Sequence, residues 1–106
     1  MTIIFNVYTI IRVRITFDPA KDTANVAKHR LSLAVAAEID WDAAVVWEDC
    51  RRDYGEVRYV ALAPHGRRLL FVAYTRRGGL RRIISLRKAN LREIDRYEAE
   101  TDSTDD

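Results

Sequence analysis

Between Ile11 and Phe17 the chain reads IRVRITF, with Ile11, Val13 and Ile15 apolar and Arg12 and Arg14 basic between them. Successive side chains of an extended backbone point to opposite faces, so this alternation predicts a strand with one buried side. The pattern breaks at Asp18-Pro19. A carboxylate can accept from the free amides of a first helical turn, and proline's fixed φ suits the first helical position, so a helix is predicted over Pro19 to His29. Lys28 and His29 fall in its last turn, where the dipole favours cations. Ser32 can cap a second helix through LAVAAEI to Asp40, with Leu33, Ala36, Ala37 and Ile39 as its apolar stripe.

From Ala43 onward β-branched and aromatic residues dominate. AAVVW reads as a short strand and EDCRRDYG as a connecting loop. Three longer runs follow, EVRYVALA, RLLFVAYT and LRRIISLR, separated by PHGR and RRGG, both glycine-containing turns of hairpin length. Three adjacent antiparallel strands are predicted. Asn90 and Glu93 have the spacing of a capping box, and Leu91, Ile94 and Tyr97 recur on one helical face, so a last helix begins near Asn90. The residues after Tyr97, EAETDSTDD, are too acidic to bury and read as a disordered tail over 99–106. The expected fold is α+β: an N-terminal strand and two helices packed on a mainly antiparallel sheet, then a C-terminal helix. With the helices on one face, the other face is left open for a ligand.

Composition narrows the function classes. A chain of 106 residues gives one domain. The lone Cys50 asks for no oxidising compartment, and it reads as a small apolar filler rather than a nucleophile. The opening MTIIFNVYTII lacks the basic lead and small-residue cleavage site of a signal peptide, and no apolar run approaches the roughly 20 residues needed to span a bilayer. A soluble, cytoplasmic protein without membrane partners is expected. The net charge of +2 conceals a strong asymmetry: residues 1–50 carry −2, residues 51–97 carry +9 and residues 98–106 carry −5. A +9 segment that also holds the best strand patterns makes a cationic face suited to a polyanion. The bland alternative is an arginine-rich solvated sheet surface.

Phosphate loops, zinc-spaced Cys or His pairs and nucleophile elbows are missing from the sequence, so no metal or cofactor is expected. What remains is Arg, Lys, Tyr, Ser and the acid Glu56. That inventory suits cleavage of RNA by its own 2′-hydroxyl, where the protein supplies a base, an acid and cations for the phosphorane. Arg58, Arg77, Arg82 and Arg87 are candidate phosphate clamps. Glu56 can act as base or pair with Arg58. His29 can exchange protons near neutrality or serve only as a helix-end cation. Tyr74 can stack on an RNA base or fill the core.

FDPAKDTANVAKH (Phe17 to His29), Ser32, GEVR (Gly55 to Arg58), LLFVAYTRRG (Leu69 to Gly78) and RIISLRKA, with Glu93 and Tyr97 beyond it, together resemble the BrnT toxins of bacterial type II toxin–antitoxin systems. The resemblance spans Ile15 to Tyr97. It implies a RelE-like endoribonuclease that cuts mRNA without a metal and arrests growth. It further implies neutralisation by a BrnA-like antitoxin with a ribbon-helix-helix DNA-binding domain, in a heterotetramer or larger complex that contacts operator DNA through the antitoxin. Carried over by position, the catalytic candidates are His29, Glu56, Arg58, Arg77 and Arg87. The RNA-binding candidates are Lys28, Arg82, Ser85 and Lys88 by the same carry-over, with Tyr74 added from its place mid-strand beside Arg76. The toxin domain is expected over 15–98, with residues 1–14 an N-terminal extension. Arg30 stands where the family has glycine, so it must take a left-handed conformation or shift the loop. A noncatalytic nucleic-acid-binding or protein-interaction module using the same basic face is the alternative.

Overall fold

The computed structural model describes residues 14–102, so the start of the expected first strand and the last acidic residues lie outside it. Among the described residues five strands form one sheet in the order β1-β5-β4-β3-β2. They are β1 (Ile15–Phe17), β2 (Val45–Glu48), β3 (Tyr59–His65), β4 (Arg68–Arg77) and β5 (Leu80–Lys88). β1 pairs parallel with β5 and every other pairing is antiparallel. Two-residue turns join β3 to β4 and β4 to β5, each opening on a glycine of positive φ, Gly66 at 61° and Gly78 at 60°. That conformation strains any residue with a Cβ.

Helix α1 (Pro19–His29) starts as the sequence predicts, with the Asp18 carboxylate accepting from the Ala20 amide at 2.9 Å. It ends on Arg30, which adopts the left-handed conformation (φ 64°, ψ 23°) and donates its amide to the Val26 carbonyl at 2.8 Å. The helix end therefore keeps its place without glycine. The second expected helix is instead a 3₁₀ segment, Leu33–Ala37, capped by Ser32. Asp40 then starts a further 3₁₀ turn, Trp41–Ala43, by accepting from the Asp42 and Ala43 amides. This new cap interrupts the winding that the apolar stripe alone would have continued. Helix α2 covers Leu91–Asp102, so the tail expected from residue 99 is helical as far as Asp102.

Alternate residues of the strands face opposite ways. The first face, Ala61, Ala63, Leu70, Val72, Tyr74, Ile83 and Leu86, is closed by Leu33, Ala36 and Ile39. The second carries a smaller cluster, Val60, Leu62 and Phe71, against which Trp47, Ala73 and Tyr97 pack. The helices are thus not confined to one face. α2 sits over one end of the second, where the Tyr97 hydroxyl donates to the Ala43 carbonyl at 2.8 Å. Ala73, Arg82 and Ser85 remain partly exposed on that face, and Arg77 is exposed.

A candidate nucleic-acid interface on the second face

Strand register decides which side chains share a surface. Residues opposite one another in a ladder point the same way, and the β4–β5 pairs Phe71–Arg87, Ala73–Ser85, Thr75–Arg82 and Arg77–Leu80 all lie on the second face. The register shifts by one residue between Ala73–Ser85 and Tyr74–Ile83, leaving Ile84 as the extra residue. This bulge keeps Arg82 on the same side as Ser85 and Arg87, although their sequence spacing is odd. Arg58 enters just before β3, and the Thr75 hydroxyl donates to the neighbouring Val57 carbonyl at 2.7 Å. Glu56 and Arg58 therefore stand in the segment leading into the strand, not within it as the run EVRYVALA suggests. Gly55, at φ 76°, and the Asp53 carboxylate accepting the Gly55 amide turn the chain there.

The segment is held from below by a residue the sequence reading passed over. Asp49, buried, accepts from Arg51 Nε and Nη2, both at 2.8 Å, and from the Tyr54 hydroxyl at 3.0 Å. Hydrogen bonding from Arg51, opposed by burial and helped by the Arg51 amide and Tyr54, drives its carboxyl far below the usual carboxylate range. The Tyr54 ring then carries the Arg58 guanidinium at 4.1 Å, and the Asp49 amide donates to the Arg58 carbonyl at 2.8 Å. Among the described residues neither Arg58 Nε nor Arg81 Nε, both buried, meets an acceptor. Each guanidinium lies on an aromatic ring, Arg81 over Trp41 at 4.3 Å, so ring stacking accounts for both.

Two ends of this face can be separated. At one, Arg77 Nη2 meets Glu56 Oε1 at 3.3 Å in a largely exposed pair. At the other, Arg87 lies 3.9 Å over the Phe71 ring and donates both terminal nitrogens to Glu93, at 2.9 Å each. Glu93 also completes the capping box, accepting the Asn90 amide at 2.9 Å while Asn90 Oδ1 accepts the Glu93 amide at 2.8 Å. Burial would raise the Glu93 carboxyl, but the bonds from Arg87 and the Asn90 amide outweigh it and hold the group below its ordinary value. Phe71 and Arg77 stand six residues apart on β4, which is about 20 Å of strand. The arginines therefore form a track rather than converging on one phosphate.

His29 belongs to the Arg87 end. β1 pairs with β5 only through Ile83, and beyond it Asn25 of α1 takes over the ladder: its side chain donates to the Leu86 carbonyl at 2.8 Å and accepts the Leu86 amide at 3.1 Å. A second bond from the Asn25 amide group reaches the Leu31 carbonyl at 2.8 Å. The inward side of α1 is in fact polar, Asp22, Asn25 and His29 at helical spacing, with Asn25 bonded to the sheet and Asp22 accepting from the Ser32 hydroxyl and the Leu33 amide at the start of the 3₁₀ segment. Such a polar inner stripe was the available signal for Asn25. His29 is half-buried, and burial, then the charges of Lys28 and Arg87, push its imidazole below the ordinary value. Lys28 and Lys88 are exposed, Lys88 on the first-face register opposite Leu70. Tyr74 is corrected: it is 1% exposed, edge-on to Trp41 at 5.3 Å and stacked on Tyr59 at 5.5 Å, and has no face to offer a base.

Cys50 is exposed rather than a core filler, and its thiol, hydrogen-bonded to Glu48, is raised above its usual value. Among the described residues no three His, Cys, Asp or Glu side chains gather as metal ligands, and no helix is long and apolar enough to cross a membrane.

The architecture defines a small α+β domain with one closed sheet face and one cationic face. The sequence model of the family described as "Ribonuclease toxin, BrnT, of type II toxin-antitoxin system" matches residues 17–93, and the chain belongs to that family. Its fold is similar to that of the Brucella abortus ribonuclease toxin BrnT, with a TM-score of 0.58 and 25% identity over 74% of this chain and 97% of that one. No curated protein matches it in sequence.

Proposed function

We propose that the protein is an endoribonuclease toxin that cleaves messenger RNA by attack of the 2′-hydroxyl on the adjacent phosphate, without a metal, and arrests growth until an antitoxin neutralises it. The partner would be BrnA-like, with a ribbon-helix-helix domain that carries the complex to operator DNA, in a cytoplasmic heterotetramer or larger assembly. Residues 15–98 would form the toxin domain. The observation that carries this reading is the register that sets Arg77, Arg82, Ser85 and Arg87 on one face, with Arg58 in the segment that the Thr75 hydroxyl ties down at Val57. A cationic track of that length follows several phosphates of a single strand, which suits a polymer better than a mononucleotide.

Within the track the Arg87 end suits the chemistry. An imidazole pushed toward its neutral form can take the 2′-proton, a neighbouring guanidinium can stabilise the phosphorane, and water protonates the 5′-oxygen as its bond to phosphorus breaks. Arg87 reaches phosphate by exchanging Glu93 for it, while Lys28 flanks the group as a point charge. About 20 Å along the strand, Arg77 holds a flanking phosphate by exchanging Glu56 for it, and Glu56 there cannot share a proton-transfer step with His29. Incubating the purified protein with single-stranded RNA in EDTA tests this. Products with 2′,3′-cyclic phosphate and 5′-hydroxyl ends are expected. Intact RNA bound in a salt-dependent manner would mean a noncatalytic binding module instead.

A further inference from the structure

Beside the Arg87 end, a cleft of about 510 Å³ opens between α2 and the edge of the sheet. Its floor is Trp47, Val60 and Phe71, and Arg51, Arg92 and Arg96 stand on its walls. Its charge chemistry differs from that of the track. Three acids, Glu48, Asp49 and Glu93, balance the three arginines, and Asp49 is already paired with Arg51 and Glu93 with Arg87. A site with aromatic floor and balanced charge suits a flat, neutral, polar ring better than a phosphate.

Two guanidinium-on-ring pairs border it, Arg96 over Trp47 at 3.7 Å and Arg87 over Phe71 at 3.9 Å. The Arg96 plane is braced from its far side of the helix turn by Glu100, at 2.9 Å. Guanidinium planes laid on aromatic rings extend the stacking surface, and unstacked RNA bases are commonly held on such planes. We infer that this cleft is a nucleobase subsite, taking one splayed-out base of the strand whose phosphates follow the arginine track. This rests on the ribonuclease reading above and adds to it: the phosphate track supplies affinity for any RNA, and the cleft supplies preference at one position next to the cut.

The probe is a 2′-O-methyl oligonucleotide, which lacks the attacking hydroxyl, scanned with an abasic unit at each position and measured by fluorescence anisotropy on the full chain. At one position the abasic unit should weaken wild-type binding about tenfold, the scale of a single lost stacking contact. That penalty should disappear in Trp47→Leu and shrink in Arg96→Ala, an exposed position whose loss leaves the core intact, with folding of both checked by circular dichroism. Binding with no position-specific penalty, or an equal penalty in both variants and wild type, overturns the subsite while leaving the track in place. Loss of neutralisation by the antitoxin in Trp47→Leu, with the abasic scan flat, overturns it in favour of a protein partner. No salt-dependent binding of the oligonucleotide at all overturns the ribonuclease reading itself.

Discussion

The two faces of the sheet are made from alternate residues of the same strands, yet they differ in kind. On the first, Ala61, Ala63, Leu70, Val72, Tyr74, Ile83 and Leu86 join Leu33, Ala36 and Ile39 in one closed apolar cluster. On the second, a small cluster at one end gives way to Ser85, Arg82 and Arg77. Arginine occurs on both. On the closed face Arg81 is laid over Trp41 and Tyr74 and becomes part of the packing. On the open face Arg77 and Arg87 are held by single carboxylates that an arriving phosphate can replace. The difference shows that a period of two lets one set of strands divide stability from chemistry, provided each face is judged by what covers it.

Substitutions can break that division. The largest stability effect should come from the closed face: Leu33→Ala removes a side chain with no exposure and should cost about 2–5 kcal/mol in urea unfolding, with RNA affinity per folded molecule unchanged. At the seam between the faces, Asn25→Ala leaves the Leu86 amide and two carbonyls without their partner and should cost roughly 1–3 kcal/mol. It should also lower cleavage, because α1 then no longer fixes His29 beside Arg87. A pH titration sharpens the open face. Asp49 and Glu93 have folded-state values below their ordinary ones. Their stabilisation is therefore present above the ordinary carboxylate range and lost as pH falls through the folded values, because the unfolded chain binds the protons first. Thermal melts should show Asp49→Asn flattening that acid limb and leaving the melting temperature at pH 8 as its main loss. The smallest effect is a gain. Arg30→Gly relieves a left-handed residue and should raise stability by roughly 1 kcal/mol once glycine's greater unfolded-state freedom is subtracted, with cleavage unaltered.

Much of the fold was legible because local signals agreed with the global arrangement. Asp18-Pro19 set the start of α1, the glycine turns set the hairpins, and Asn90 with Glu93 set the last helix. The second helix was misread because the apolar stripe outweighed the cap at Asp40, which restarts the chain as a new 3₁₀ turn. The cationic face was legible from alternation. Its geometry was not. Whether His29 and Glu56 meet depends on strand register, on a bulge at Ile84 and on where Asn25 docks α1, and only the last leaves a local trace, in the polar spacing of Asp22, Asn25 and His29. Arg87 reads in the sequence as a phosphate clamp, but its pairing with Glu93 depends on how the last helix packs beside Phe71. Tyr74 looked available because an aromatic residue beside arginines fits a stacking platform, while its inward side of the pleat follows only from pairing with Tyr59 and Ile83.

The position of the arginines, rather than their charge alone, defines the track, and equal charge removal at two places separates the two. Arg58/Arg77/Arg87→Ala removes three arginines of the track, whereas Arg67/Arg68/Arg76→Ala removes three exposed arginines of the turn and the first-face register. With RNA cleavage measured at fixed ionic strength, the first variant should lose activity by more than about a hundredfold and the second by less than about tenfold. Equal losses in the two would show that only net charge matters and would contradict an ordered track.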